Sequence, residues 1–146
     1  MIKMIDISSK PDVERIAVAQ GTIYLKKKTV QAIKENKIKK GNVLDASQLV
    51  GINAAKRASE LLPLCHFVPI TNVDIEFDIY DDRITVRCSV KGIYKTGMEM
   101  DALMGLTIAL LNIWDMVKYL EKDKHGQYPS TKITDIWVIE KVKGKR

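Results

Sequence analysis

The chain has 146 residues, 46% hydrophobic and 29% charged, and 24 Lys and Arg against 18 Asp and Glu give a net charge of +6. This fits a single domain over residues 1–146 and excludes wholesale disorder. No uncharged apolar run reaches the ~18 residues of a membrane span, Lys3 and Asp6 interrupt any signal-peptide core, and two cysteines are too few for a disulfide framework, so the expectation is a soluble, cytoplasmic protein.

Residues 13–25 place apolar side chains at Val13, Ile16, Val18, Ile23 and Leu25 around Gly21, which reads as an extended, bulged segment or a hairpin. Residues 29–36 (TVQAIKEN) read as a short helix stopped at Asn36. Residues 46–62 read as a helix with Leu49, Ile52, Ala55 and Ser59 on one side, Lys56 and Glu60 spaced to pair, and Pro63 ending it. Val73, Ile75, Phe77 and Ile79 alternate with Asp74, Glu76 and Asp78, and Ile84, Val86, Cys88 and Val90 alternate likewise. With the acidic turn between them these runs are a β-hairpin with one buried face. Residues 99–121 are a helix that is apolar nearly all round, from Leu103 to Val117, more than one small sheet can cover, so a second subunit is expected against it. A loop over residues 123–132 leads to a last strand with Ile136, Val138 and Val142 on one face and Trp137 and Ile139 on the other. The order strand, helix, strand, strand, helix, strand is the ferredoxin-like pattern: an α+β fold, an antiparallel sheet with helices packed on one face.

The excess charge is uneven. Lys26, Lys27 and Lys28 form a run that reads as solvated surface. Lys40 precedes Gly41 in a turn, and Lys56 lies in the small-residue stretch GINAAKRAS, where something has room to approach. Neither GxxxxGK[ST] nor GxGxxG occurs. Cys65, His66, Cys88 and His125 have the wrong spacing for a zinc site, and Cys88 reads as core.

Three constellations can carry chemistry. His66, held between Pro63 and Pro69 in a stiff connector, is either a structural histidine or a fixed polar group. Glu99 and Asp101, flanking Met100 in GMEMD, either complement the dipole of the long helix or accept hydrogen bonds from a polar heterocycle. Asp115 and Lys118 are three apart on the apolar helix, where charge is costly unless it serves something; a lysine beside apolar surface suits acid–base work.

Together MIDIS, KKGNVL, GINAAKRASELLPLCH, KTGMEMDAL and IWDMVK resemble the molybdenum cofactor biosynthesis protein C (MoaC) family, the cyclic pyranopterin monophosphate synthases, from about Met4 to Lys145. The resemblance implies a hexamer, a trimer of dimers with active sites at a dimer interface. It implies a small-molecule triphosphate substrate, 3′,8-cyclo-7,8-dihydroguanosine triphosphate, and the products cyclic pyranopterin monophosphate and pyrophosphate. By the same resemblance Lys40 and Lys118 match the catalytic lysines and Asp115 the acid beside the second, with Lys118 transferring the proton and Lys40 assisting from another subunit. His66, Glu99, Met100 and Asp101 match substrate-binding positions. Arg15 and Lys56 match basic residues near the phosphates, and Lys141 and Lys145 match a basic C-terminal loop. Asp101 stands where glutamate is usual, and Lys143 and Arg146 depart from the family's GGKS tail. No cofactor is expected, although a divalent cation such as magnesium could accompany the leaving pyrophosphate.

Neither nucleic acid nor membrane is an expected partner. An RNA-binding module is the competing class, allowed by the topology and the charge, but Ile93 in KGIY stands where a stacking aromatic belongs. A non-catalytic oligomeric scaffold would explain the apolar helix but not Asp115 and Lys118 within it.

Overall fold

The computed structural model describes residues 1–144. Its elements are β1 (Val13–Tyr24), α1 (Lys27–Lys34), α2 (Val43–Ala55), α3 (Ala58–Leu61), β2 (Ile70–Ile79), β3 (Arg83–Tyr94), α4 (Glu99–Glu121) and β4 (Lys132–Lys143). The four strands form one antiparallel sheet in the order β2-β3-β1-β4. α2 and α4 lie on one face of it, which is the expected ferredoxin-like arrangement.

β1 is a single long strand rather than a hairpin. Its side chains alternate strictly, with Val13, Arg15, Ala17, Ala19, Gly21 and Ile23 buried beneath the helices. Gly21 is small for a reason: a Cβ there would sit 2.9 Å from both Ile136 Cγ1 and Leu110 Cδ1, where β4 and α4 close over the strand. α4 supplies the core stripe Ala102, Leu106, Ala109, Leu110, Ile113 and Val117, spaced by three and four. Fully burying a leucine or isoleucine of this kind contributes about 1.5–3 kcal/mol. By length and mean hydropathy, 1.4 over 18 residues, α4 would pass for a membrane span even though no continuous apolar run does; half of that window is buried in this core.

The helix expected over residues 46–62 differs from what is seen. Asn42 caps α2 by accepting from the Asp45 backbone N–H at 3.0 Å, so the helix starts earlier, at Val43. It breaks at Lys56–Arg57, and α3 is a separate turn. Lys56 therefore does not pair with Glu60; Arg57 does, at 3.0 Å. The buried side of α2 is Val43, Ser47, Gly51 and Ala55, while Leu49 is 62% exposed. α2 runs antiparallel to α4 with the glycines in contact: a Cβ on Gly105 would lie 2.9 Å from the Gly51 carbonyl oxygen.

β4 carries a bulge that decides one site residue. Ala19 pairs with Val138 but Val18 pairs with Glu140, so Ile139 is the extra residue. The alternation flips there. Val142, expected beside Val138, pairs with Ile16 on the open face, and Lys141 pairs with the buried Ala17 on the helix side.

Candidate active site

Apart from Lys56 and Lys145, the expected site residues gather in two groups at opposite ends of α4. The first group lies at the C-terminal half. The turn after α1 carries Lys40 just before Gly41, whose φ of +115° lets the chain swing into α2. Lys40 Nζ reaches Asp115 Oδ2 and the Asp115 carbonyl oxygen, each at 3.0 Å. Lys118 Nζ reaches the other carboxylate oxygen, Oδ1, also at 3.0 Å. One carboxylate thus sits between two ammonium groups, and the Lys40 and Lys118 hydrogen bonds hold the Asp115 carboxyl below the usual range.

Two expectations change here. Asp115 and Lys118 are not desolvated by the apolar helix; their side chains are 52% and 44% exposed, because the polar side of α4 faces outward at this point. Lys40 meets Asp115 within one chain rather than from another subunit.

The position of Lys40 is fixed from both directions. Upstream, the buried Glu121 carboxylate accepts from the Lys26 backbone N–H and from the hydroxyls of Thr29 and Thr131, tying the start of α1 to the end of α4. Downstream, Asn42 caps α2. Glu121 and Tyr119, which accepts from the Lys39 backbone N–H at 2.9 Å, were not singled out in the sequence. Their signal was weak: a Glu closing an apolar helix reads as surface, and a tyrosine beside a lysine reads as packing.

The second group lies at the N-terminus of α4. Lys141, turned inward by the β4 bulge, pairs with Glu99. Burial pushes the Glu99 carboxyl up, but Lys141, the residue's own backbone N–H and the nearby Arg15 outweigh this and hold it below the usual range. Asp101 is the opposite case. It is buried at 4% exposure, and Oδ2 has no hydrogen-bond partner among the described residues. Burial, with Glu99 adding repulsion, pushes its carboxyl up to about 6. A buried acceptor without a donor is costly. Met100 between the two acids is exposed at 42%.

His66 stands beside this group. Its Nε2 lies 2.7 Å from the Ile5 carbonyl oxygen. A carbonyl only accepts, so Nε2 carries the proton, and in the neutral ring Nδ1 is the free base. His66, Tyr94 and Lys95 line a cavity of about 540 Å3 with the segment Met4–Ser8, the MIDIS motif, whose role in a cavity wall no spacing in the sequence signals. Lys95 also donates to the Lys10 carbonyl, two residues beyond that segment, at 3.0 Å. The Cys65 thiol next to His66 is pushed up by burial and by Asp101 and Glu99, whereas Cys88 is pushed up to about 12 by burial in the core.

Arg15 is buried, with Nε and Nη2 donating to the Tyr94 and Lys95 carbonyls at 3.3 and 3.2 Å. It braces the end of β3 against β1. Lys56 lies outside the His66 cavity, at the end of α2 beside Ile70–Val73 of β2. Lys145 lies outside the described residues.

Glu99 and Asp115 are sixteen residues apart on one helix, about 24 Å at 1.5 Å per residue. The two groups of one chain are therefore too far apart to share a nucleotide-sized ligand. The open face of the sheet bears on the RNA-binding reading: its central strands present Val18, Gln20, Thr22, Thr85, Arg87 and Ser89, and its aromatics, Tyr24 at the end of β1 and Trp137 opposite Gln20 on β4, stand apart rather than side by side on the two central strands.

The MoaC family model matches residues 4–144. The chain belongs to the MoaC family. This MoaC-family chain is 58% identical over 142 residues to a protein of Pyrococcus horikoshii named probable cyclic pyranopterin monophosphate synthase, covering 97% of this chain and 89% of that one. It is 54% identical over 145 residues to a Pyrococcus furiosus protein of the same name, covering 99% and 93% of the two chains. A Methanothermobacter thermautotrophicus relative, 54% identical over 142 residues and covering 97% and 89%, is named probable cyclic pyranopterin monophosphate synthase accessory protein.

Proposed function

We propose that this MoaC-family chain is a cyclic pyranopterin monophosphate synthase, a lyase of molybdenum cofactor biosynthesis. It converts 3′,8-cyclo-7,8-dihydroguanosine triphosphate to cyclic pyranopterin monophosphate and releases pyrophosphate. The names of its relatives support the reaction, and the observation that carries it to residues is the Lys40–Asp115–Lys118 cluster. A scaffold has no use for two ammonium groups converging on one exposed carboxylate.

The chemistry follows from the residues. Opening and reclosing a purine-derived ring needs protons delivered and removed at fixed points, which Lys118 oriented by Asp115 supplies, with Lys40 as the second cation. Glu99 and Asp101 at the start of α4 accept from ring N–H groups. His66 offers Nδ1, and Met100 packs on the ring. Lys56, Lys141 and Lys145 supply positive charge for the triphosphate, with Arg15 adding charge while bracing β3. Cyclic phosphate formation then requires the attacking hydroxyl to be held in line with the departing pyrophosphate. No resident cofactor is assigned; a divalent cation would arrive with the phosphates.

Because the two groups are about 24 Å apart along α4, the complete site takes one group from each of two copies. Exposed Leu49, Leu61 and Leu111 on the helical layer suit burial by another copy. The assembly we infer is a hexamer, a trimer of dimers, working in the cytoplasm. The test is direct: incubate the pure protein with the cyclised dihydro-GTP and assay pyrophosphate and the pterin product. A folded oligomer that gives neither would defeat the enzyme reading.

A further inference from the structure

The turn 38–41 is held to α4 at one point of its backbone. Ile38 is buried, and the Gly41 N–H closes the turn on the Ile38 carbonyl at 3.0 Å. Among the described residues, the one hydrogen bond from the backbone of this turn to α4 is Lys39 N–H to Tyr119 Oη, at 2.9 Å. The Lys39 ammonium lies 5.1 Å from the centre of the same ring, a second grip on the same side chain. Tyr119 is four residues after Asp115 and one after Lys118, so a single turn of α4 supplies the carboxylate, one ammonium and the latch. Lys40 is the very next residue after the latched one. Its four-carbon stem is flexible, so the reach of its ammonium to Asp115 depends on where its backbone is held.

We propose that Tyr119 is a positioning residue for Lys40: its hydroxyl and ring pin the turn so that the Lys40 ammonium stays on the Asp115 carboxylate. The inference rests on the reading of the Lys40–Asp115–Lys118 cluster as catalytic, and its test separates the two.

The test follows the Asp115 carboxyl by 13C NMR across a pH titration of the assembled full-length protein, with the signal assigned by its loss in Asp115→Asn. Four proteins are compared: wild type, Lys40→Met, Tyr119→Phe and the double variant. Lys40 is the first cause of the lowered Asp115 carboxyl, so Lys40→Met raises its titration midpoint. Tyr119→Phe, which keeps the ring and loses the acceptor, raises it part of the way and adds nothing in the Lys40→Met background. That lack of additivity is what a merely structural tyrosine would not give. Turnover of Tyr119→Phe falls by about three- to tenfold in kcat, the effect of one net hydrogen bond, with KM changed less than about twofold. An unmoved Asp115 titration in a Tyr119→Phe protein that melts like wild type would overturn the inference whatever its turnover. A moved titration with unchanged turnover would uphold the positioning and sink the catalytic reading of Lys40 instead.

Discussion

Asp101 offers the sharpest thermodynamic test, because its carboxylate is buried without a donor for Oδ2. Its carboxyl is raised from 3.8 to about 6 in the folded protein. The folded state therefore holds its proton more tightly than the unfolded chain. Between those two values stability falls as pH rises; below 3.8 both states are protonated and Asp101 costs nothing, and above 6 the full cost is present. At 1.36 kcal/mol per pKa unit the cost at neutral pH is up to about 3 kcal/mol. Asp101→Asn keeps the shape and removes the titration. Urea unfolding at fixed protein concentration should find the variant more stable than wild type by up to about 3 kcal/mol at pH 7.5 and nearly equal to it at pH 3.5. The same variant should bind substrate less well, having exchanged a carboxylate acceptor for an amide. An equal gain at both pH values, or a loss at pH 7.5, would refute the claim that an unpaired buried charge is the cause.

Lys118→Ala should lower turnover by about 10²- to 10⁴-fold, the usual share of a proton-transfer group, with melting and substrate binding retained because the ion pair is exposed; unchanged turnover would make Lys118 structural. Gly105→Ala places a Cβ 2.8 Å from Cys88 Sγ and 2.9 Å from the Gly51 carbonyl oxygen. Backbone cannot yield cheaply there, so urea unfolding should show a loss of about 1–3 kcal/mol. Glu121→Gln presents an amide to three donors that need an acceptor, and should cost about 1–3 kcal/mol while speeding hydrogen exchange at the start of α1.

Much of the fold was legible because its signals are local. The bounds of α4 and the pairing of β2 with β3 follow from periodicity alone: Glu99 to Glu121 is the helix the pattern gives, while the strands extend past the alternating runs, β2 back to Ile70 and β3 on to Tyr94. The break at Lys56–Arg57 was not legible, since neither residue disfavours a helix and the stop signal at Pro63 comes seven residues later. The β4 bulge was hidden for a related reason: it is set by pairing with β1, and it alone decides that Lys141 faces Glu99. Asp115 and Lys118 were found for a partly mistaken reason. Counting apolar residues round α4 suggested burial, yet their face of the helix is open to solvent in the chain. Tyr119, Glu121 and the Ile5 carbonyl act through tertiary contacts with residues 39, 26 and 66, which no spacing rule encodes.

The assembly we propose builds each active site from the N-terminal group of one copy and the Lys40–Asp115–Lys118 group of another. The measurement that bears on it most directly is turnover after two inactive variants, His66→Ala and Lys118→Ala, are refolded together. Random pairing should restore intact sites in mixed dimers, to about one quarter of wild-type activity at equal input. A mixture that forms mixed oligomers yet stays as inactive as either parent would contradict the shared site.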